Sequence, residues 1–186
     1  MPDPKRVAVL ISGRGSNMRA LVERANGYEV ALVASNKPAA EGLAWAKERG
    51  LQTWALESKG FAKEEYDRRL SSALEERGIG TIALAGFMRI LSPWFVERWA
   101  GRIVNIHPSL LPKYRGLDTH GRALEAGDQV SGCSVHVVTE ELDAGEVLGQ
   151  AEVPIEGGDT PERLERRVLA AEHELYPRVL SEFVSR

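Results

Sequence analysis

The chain has 186 residues, of which 43% are hydrophobic and 27% are charged. This length suits one well-buried core, so we expect a single domain over residues 1–186. The formal net charge of -3 argues against nucleic-acid binding, which needs a basic surface. The single cysteine rules out an intrachain disulfide, and the first apolar run, Val7–Ile11, is too short for a signal sequence or a membrane span. We therefore expect a cytoplasmic protein with small-molecule substrates and no membrane partner.

Short β-branched runs alternate along the chain with longer amphipathic stretches, a pattern typical of buried parallel strands joined by helices. The strand candidates are, in order, Val7–Ile11, Val30–Val33, Thr81–Leu84, Ile103–Ile106, Cys133–Val138 and Glu146–Val153. Helices are predicted near residues 16–26, 40–49, 62–77, 92–99 and 119–126, and a last helix begins at Thr160-Pro161. The last two strands have no helix between them, so that end of the sheet should be antiparallel. The sequence predicts an α/β fold with a doubly wound, mostly parallel sheet of about seven strands flanked by helices.

The loop between the first strand and the first helix is rich in glycine and reads Ser12-Gly-Arg-Gly-Ser-Asn17. Backbone N–H groups and the helix dipole converge on an anion at such a turn. Met18 stands where a dinucleotide-binding loop has its third glycine, and the Gly-Lys-Ser/Thr of a nucleoside-triphosphate loop is missing. The pattern that remains suits a single phosphate. A tight turn in which Ser16 or Asn17 caps the helix would use the same residues.

Asn105 and His107 lie two residues apart at the predicted carboxyl end of a strand, so their side chains should point to one side. Pro108 disfavours helical backbone at His107 and stiffens the turn. An amide and an imidazole held together in this way could stabilise an oxyanion, and His107 could also transfer a proton.

Asp143 lies in the tight connection after the Cys133 strand and is a candidate partner of His107. A carboxylate at that position would stabilise a positively charged imidazole and could relay protons. His136 shares a strand face with Ser134 and is expected to border the same pocket. Ordinary backbone caps, a structural histidine and a simple Asp-Ala-Gly turn would explain these residues equally well, so their spacing leaves both interpretations open.

Three segments carry a family resemblance: Ile11-Ser-Gly-Arg-Gly-Ser-Asn17, Ala85-Gly-Phe-Met-Arg-Ile-Leu91 and Asn105-Ile-His-Pro-Ser-Leu-Leu-Pro-Lys-Tyr114. The chain resembles the phosphoribosylglycinamide formyltransferases over nearly its whole length. The resemblance implies a formyltransferase-like, Rossmann-type fold with a phosphate-binding half at about residues 1–100 and a catalytic and folate-binding half at about residues 101–186. It also implies that Asn105, His107 and Asp143 are the catalytic residues.

The resemblance also implies two binding regions. The residues implied to bind the phosphoribosyl substrate are Gly15, Ser16, Asn17 and Glu172. The residues implied to bind the folate are Lys63, Met88, Arg89, Ile90, Leu91, Asn105, Glu140, Glu141, Leu142 and Asp143. Lys63 stands where the family has an arginine near the folate tail, and Arg115 stands where the family has a proline. Arg89 lies within an apolar run and therefore needs a partner.

The expected reaction moves the formyl group of 10-formyltetrahydrofolate to the amine of phosphoribosylglycinamide, a step of purine biosynthesis. We expect no metal, because the four histidines show no metal-ligand spacing, and we expect a monomer or a homodimer. Three alternatives remain open: hydrolysis of 10-formyltetrahydrofolate, formyl transfer to methionyl-tRNA, and a non-catalytic folate-binding or nucleotide-binding module. The acidic net charge argues against the tRNA substrate.

Overall fold

The structure is a computed structural model that describes residues 1–186. Its strands are β1 (Arg6–Ile11), β2 (Glu29–Ser35), β3 (Thr53–Ala55), β4 (Thr81–Leu84), β5 (Ile103–His107), β6 (Val130–Val137) and β7 (Val147–Pro154). Its helices are α1 (Ser16–Glu23), α2 (Glu41–Glu48), α3 (Lys63–Glu76), α4 (Pro93–Arg98), α5 (Thr119–Glu125) and α6 (Pro161–Val184). None of the helices is both long enough and apolar enough to span a bilayer.

The seven strands form one sheet in the order β3-β2-β1-β4-β5-β6-β7. The first five strands of this order are parallel to one another, whereas β6 is antiparallel to both β5 and β7. This arrangement confirms the predicted mostly parallel sheet with an antiparallel end. The chain runs outward from β1 to β3 and then returns to place β4 on the other side of β1, so the strand order reverses between β1 and β4. Ligands of open α/β sheets bind outside the strand ends at such a switch point.

Both faces of the sheet are buried, because helices cover each of them. Val7, Val9 and Ile11 of β1 face the cluster that includes residues of α1, α2 and α6. Ala8 and Leu10 face the cluster that includes residues of α3 and α4. The alternation of side chains along one strand therefore supplies two cores, as expected of a doubly wound fold.

Three elements differ clearly from the sequence prediction, and one of them, β6, begins at Val130 and not at Cys133. The predicted helix 16–26 ends at Glu23, because residues 23–27 are all exposed and offer no apolar face to bury. Strand β3 was not predicted at all. It has only three residues, Thr53–Ala55, which are too few to show an alternating pattern, and it forms through its pairing with β2 at the edge of the sheet.

Tyr176 of α6 is a hydrogen-bonded link between the last helix and the two central strands. Its fully buried hydroxyl donates to the carbonyl oxygens of Leu84, at 2.9 Å, and Val104, at 3.3 Å. Without this hydroxyl, the carbonyl oxygens of Leu84 and Val104 lose a buried hydrogen-bond donor, which destabilises the fold.

We predict that Tyr176→Phe lowers the free energy of unfolding by about 1 kcal/mol and the Tm by about 2–4 °C. Tyr66→Phe is the matched control, because the Tyr66 hydroxyl is also buried but has no hydrogen-bond partner. Its removal should leave the Tm unchanged or raise it. Thermal unfolding followed by circular dichroism measures both variants, and equal Tm losses in the two would contradict the role of the Tyr176 hydrogen bonds.

Candidate active site

Three loops meet at one edge of the sheet, because β1, β4 and β5 are parallel neighbours whose carboxyl ends lie on the same side. The glycine-rich loop at residues 12–15 follows β1, and the apolar segment at residues 85–91 follows β4. His107 is the last residue of β5. Predicted site residues from distant parts of the chain therefore share one edge, at the point where the strand order reverses.

The glycine-rich loop leads directly into α1. Gly15 is the N-cap residue and has a left-handed backbone, with φ 72° and ψ 40°. This conformation favours glycine, and a Cβ there would also lie 2.7 Å from the terminal methyl carbon of Met18, which would have to move. No side chain caps the helix, which contradicts the alternative in which Ser16 or Asn17 acts as a simple cap. The first N–H groups of α1 therefore remain open to an anion, as the phosphate interpretation requires.

The Asn17 side chain contacts α6 instead of capping its own helix. Its Nδ2 donates a hydrogen bond of 2.9 Å to Oε2 of Glu172. Both side chains are buried, and Asn17 Oδ1 has no hydrogen-bond partner. Burial raises the pKa of Glu172 to about 7, against the opposing effect of the hydrogen bond from Asn17. The unpaired amide oxygen of Asn17 lies beside a carboxyl group whose pKa is about 7. This oxygen can accept a hydrogen bond from a polar ligand.

Asn105, His107 and Asp143 are brought together around His136. The Nδ1 of His107 lies 3.5 Å from Oδ2 of Asp143, an ion-pair distance that is longer than a good hydrogen bond. His136 Nε2 lies 3.6 Å from the other carboxylate oxygen and 3.3 Å from Nδ2 of Asn105. The three predicted catalytic side chains thus form one cluster, and His136 joins Asn105 to Asp143.

The contacts of His136 indicate a neutral ring. Its Nδ1 lies 3.1 Å from the carbonyl oxygen of Val137 and must donate to it. Its Nε2 can then accept the hydrogen bond from Asn105. Burial lowers the pKa of His136, which favours the same uncharged form. The sequence indicated only that His136 borders the pocket, because its cross-strand pairing with Asn105 depends on the register of β5 and β6.

His107 has a hydrogen-bond acceptor at each ring nitrogen. Its Nε2 lies 2.8 Å from the carbonyl oxygen of Tyr114 and donates to it, while Nδ1 faces Asp143. The Tyr114 contact requires a proton on Nε2, and the Asp143 carboxylate lies within ion-pair distance of Nδ1. The ring is buried, so its orientation is set by these two contacts.

The loop that carries Asp143 folds back over the sheet. Because β6 runs antiparallel to β5, its end pairs with Val104, and only the returning loop can bring Asp143 to His107. Asp143 has a left-handed backbone with φ 50°, and its Oδ2 accepts a hydrogen bond of 2.9 Å from the Gly116 N–H. A Cβ on Gly145 would lie 1.8 Å from the Val137 carbonyl oxygen. The tight return of the loop therefore requires glycine at position 145.

The segment after His107 is held by buried serines. Ser134 Oγ donates to the Ser109 carbonyl at 2.7 Å and accepts from the Leu111 N–H at 3.0 Å. Ser109 Oγ donates to the Lys113 carbonyl at 2.6 Å. These bonds fix the position of the neighbouring Tyr114 carbonyl, which in turn orients His107.

The segment after β4 combines exposed apolar side chains with one held arginine. The side chains of Met88 and Ile90 are 69% and 70% exposed, so they can contact a ligand, whereas Leu91 packs in the core and can offer only its backbone. The Arg89 guanidinium lies 3.5 Å from the fully buried carboxylate of Asp67 and donates to the Lys63 carbonyl at 3.1 Å. Asp67 is thus the partner that the sequence required for Arg89.

The remaining predicted folate residues lie at the surface. Glu140, Glu141 and Leu142 are exposed in the loop before Asp143, and Glu141 pairs with Arg115 at 3.3 Å. Lys63 is exposed at the first turn of α3. No group of three or more His, Cys, Asp and Glu side chains is arranged to hold a metal ion.

Comparison with known proteins places this architecture in a family. The model of the formyl transferase family matches residues 5–180. The chain belongs to the formyl transferase family. It is 48% identical to the phosphoribosylglycinamide formyltransferase of Escherichia coli (strain K12), over 95% of the chain and 86% of that protein. It also superposes on a crystal structure of phosphoribosylglycinamide formyltransferase from Brucella melitensis with a TM-score of 0.92 and 48% identity, covering 97% of the chain and 96% of that structure.

Some relatives in this family are much longer proteins. The chain is 48% identical to the trifunctional purine biosynthetic protein adenosine-3 of Drosophila melanogaster, and the match covers 97% of the chain. It spans only 14% of that protein, and 18% of the corresponding protein of Gallus gallus. The family fold is therefore found both in proteins of about this length and within much larger ones.

Glu172 should make stability depend on pH. Its pKa is about 7 in the folded protein and 4.5 in its ordinary state, so the stability it contributes is fully present below about pH 4.5 and lost as the pH rises through about 7. Relative to Glu172→Gln, the wild type should lose about 3 kcal/mol across this range. Urea unfolding of both proteins between pH 4.5 and pH 8 measures the difference. If the free energies of unfolding of the two proteins depend on pH in the same way, the pKa of Glu172 is not raised in the folded protein.

Proposed function

We propose that the chain transfers the formyl group of 10-formyltetrahydrofolate to the amine of phosphoribosylglycinamide, a step of purine biosynthesis. Membership of the formyl transferase family implies a folate-derived formyl donor. The relatives of similar length are named phosphoribosylglycinamide formyltransferases, which supports the phosphoribosyl acceptor. The products are formylglycinamide ribonucleotide and tetrahydrofolate.

The observation that carries this proposal is the cluster of Asn105, His107 and Asp143 at the sheet edge. The loop after β1 and the segment after β4 lie on neighbouring strands at the same edge. One loop offers open helix N–H groups to a phosphate, and the other offers exposed apolar side chains and an arginine. Two substrates held there would meet beside the cluster, which makes the reaction effectively unimolecular.

The proposed chemistry begins when the unprotonated amine attacks the formyl carbon. A new carbon–nitrogen bond forms, and the formyl oxygen takes the negative charge of a tetrahedral intermediate. The free N–H of the Asn105 amide donates a hydrogen bond to that oxygen, and the Nδ1–H of His107, which makes no close hydrogen bond to Asp143 at 3.5 Å, is proposed to donate a second. The bond from carbon to N10 of the folate then breaks, one proton leaves the attacking amine, and one proton is added to N10.

Asp143 is proposed to act in this proton transfer. Its carboxylate faces both His107 and His136 and is held by the Gly116 N–H. It can accept the proton from the amine, directly or through water, and stabilise the charge on His107. Because His136 accepts from Asn105 in its neutral form, the amide is held with its second N–H free for the oxyanion.

The phosphoribosyl substrate is proposed to bind Gly15, Ser16 and Asn17 through its phosphate and ribose, with Glu172 as a further polar contact. The unpaired Oδ1 of Asn17 fits this role, because a bound hydroxyl or amine can supply the missing donor. The folate is proposed to contact the segment 88–91, with Lys63 and Arg89 near its acidic tail and the 140–143 loop near its ring. Met88 and Ile90 supply apolar surface for the folate rings.

A single assay tests the proposed function. The protein is mixed with 10-formyltetrahydrofolate, with or without phosphoribosylglycinamide, and the release of tetrahydrofolate is followed. We expect release that depends on the acceptor. Release in water alone would favour a hydrolase, and absence of release would favour a non-catalytic binding module.

We predict that Asp143→Asn lowers kcat by about 10²-fold to 10⁴-fold, because the variant loses the proton acceptor. The KM values should change by less than about threefold, since asparagine can still accept from the Gly116 N–H. Asp159→Asn is a control, because Asp159 pairs with Arg167 and the Glu156 N–H outside the cluster. Steady-state kinetics measure both variants. A large rise in KM with kcat intact would contradict the proton-transfer role.

A further inference from the structure

The Ser12 hydroxyl connects the two loops of the site. Ser12 follows β1 and directly precedes Gly13 of the glycine-rich loop. Its Oγ accepts a hydrogen bond of 2.8 Å from the Met88 N–H and donates one of 2.6 Å to Oδ1 of Asn36. One side chain thus connects the loop after β1, the segment after β4 and the end of β2.

This hydroxyl has no substitute in the structure. Ser12 and Asn36 are 6% and 4% exposed, so little water can reach either group. Ser12 Oγ is the hydrogen-bond acceptor of the Met88 N–H, and it is the donor to Asn36 Oδ1. Removing it leaves one donor and one acceptor unpaired, and unpaired buried groups are costly.

The two loops depend on this connection to different degrees. The glycine-rich loop has an independent anchor, because the Gly13 carbonyl accepts a hydrogen bond of 3.1 Å from the Gly42 N–H. Phe87 and Leu91 pack against the core on either side of Met88, but the side chains of Met88 and Ile90 are mostly exposed and do not fix the Met88 backbone. Arg89, a further anchor, is tied to α3 and not to the glycine-rich loop. Loss of the Ser12 hydroxyl should therefore affect the segment after β4 more strongly.

We propose that Ser12 is a positioning residue for the formyl donor: its hydroxyl holds the Met88 backbone in the conformation that binds the folate, at a set distance from the phosphate loop. This inference rests on the proposed function, in which residues 88–91 contact the folate. Ser12 acts through Met88 and does not itself contact the reacting atoms.

The test compares three variants by calorimetry, with tetrahydrofolate and phosphoribosylglycinamide as separate ligands. Ser12→Ala removes the hydroxyl, and Ser12→Thr retains it. Ser71→Ala is a matched control, because the buried Ser71 hydroxyl also accepts one hydrogen bond, from Trp99 Nε1 at 2.9 Å, and donates one, to Glu75 at 3.0 Å. The contact with Trp99 joins α3 to the residue that follows α4, and the contact with Glu75 lies within α3, so both are outside the two loops.

We expect Ser12→Ala to raise the Kd for tetrahydrofolate by about 5-fold to 10-fold, which is the effect of one or two lost hydrogen bonds. The Kd for phosphoribosylglycinamide should change by less than about twofold, since the glycine-rich loop keeps its own hydrogen bond from the Gly42 N–H. Ser12→Thr should recover most of the folate affinity, and Ser71→Ala should leave both affinities unchanged. In steady-state kinetics, Ser12→Ala should raise the KM for the donor more than it lowers kcat.

Other results would overturn the inference. Folate binding by Ser12→Ala equal to that of the wild type, or equal losses in Ser12→Ala and Ser71→Ala, would show that Ser12 serves stability alone. Absence of tetrahydrofolate binding in the wild type would also overturn it. A wild type that binds both ligands without transferring the formyl group would contradict the proposed function, while the comparison of folate affinities would still decide the role of Ser12.

Discussion

Parallel pairing of β1, β4 and β5 is the constraint on which the candidate site depends. These strands come from separate parts of the chain, and their backbone hydrogen bonds bring their carboxyl ends to one edge. The glycine-rich loop, an apolar segment that contains an arginine, and a histidine therefore become neighbours although they are far apart in sequence. The hydrophobic alternation within each strand stabilises this arrangement, because both faces of the sheet are covered by helices.

Hydrogen bonds and ion pairs then set the orientation of the polar groups at that edge. His107 is fixed by the Tyr114 carbonyl and Asp143, Asn105 is held by His136, and Arg89 is held by Asp67. Such polar networks are stable when their members are paired, and they leave few alternative rotamers. One atom without a hydrogen-bond partner, Oδ1 of Asn17, lies beside Glu172, whose burial raises its pKa to about 7. Both features belong to the face proposed to bind the phosphoribosyl substrate.

The antiparallel end of the sheet contributes the third catalytic candidate in an indirect way. The end of β6 lies beside the start of β5, away from His107. The loop returns through a close approach that leaves no room for a Cβ at Gly145 and through a left-handed Asp143, and it brings the carboxylate to the imidazole. The same returning loop carries Glu141, whose contact with Arg115 joins it to the segment after His107.

The sequence by itself determined the order of the strands and helices, the antiparallel end and the glycine-rich turn, because hydrophobic alternation and glycine placement are local properties. Its motifs also singled out Asn105, His107 and Asp143. It did not determine that Asn17 would bind Glu172 instead of capping its helix, that three-residue β3 would pair at the sheet edge, or that Ser12 would hold Met88. Each of these depends on contacts between residues far apart in the chain, so only the tertiary structure could decide them.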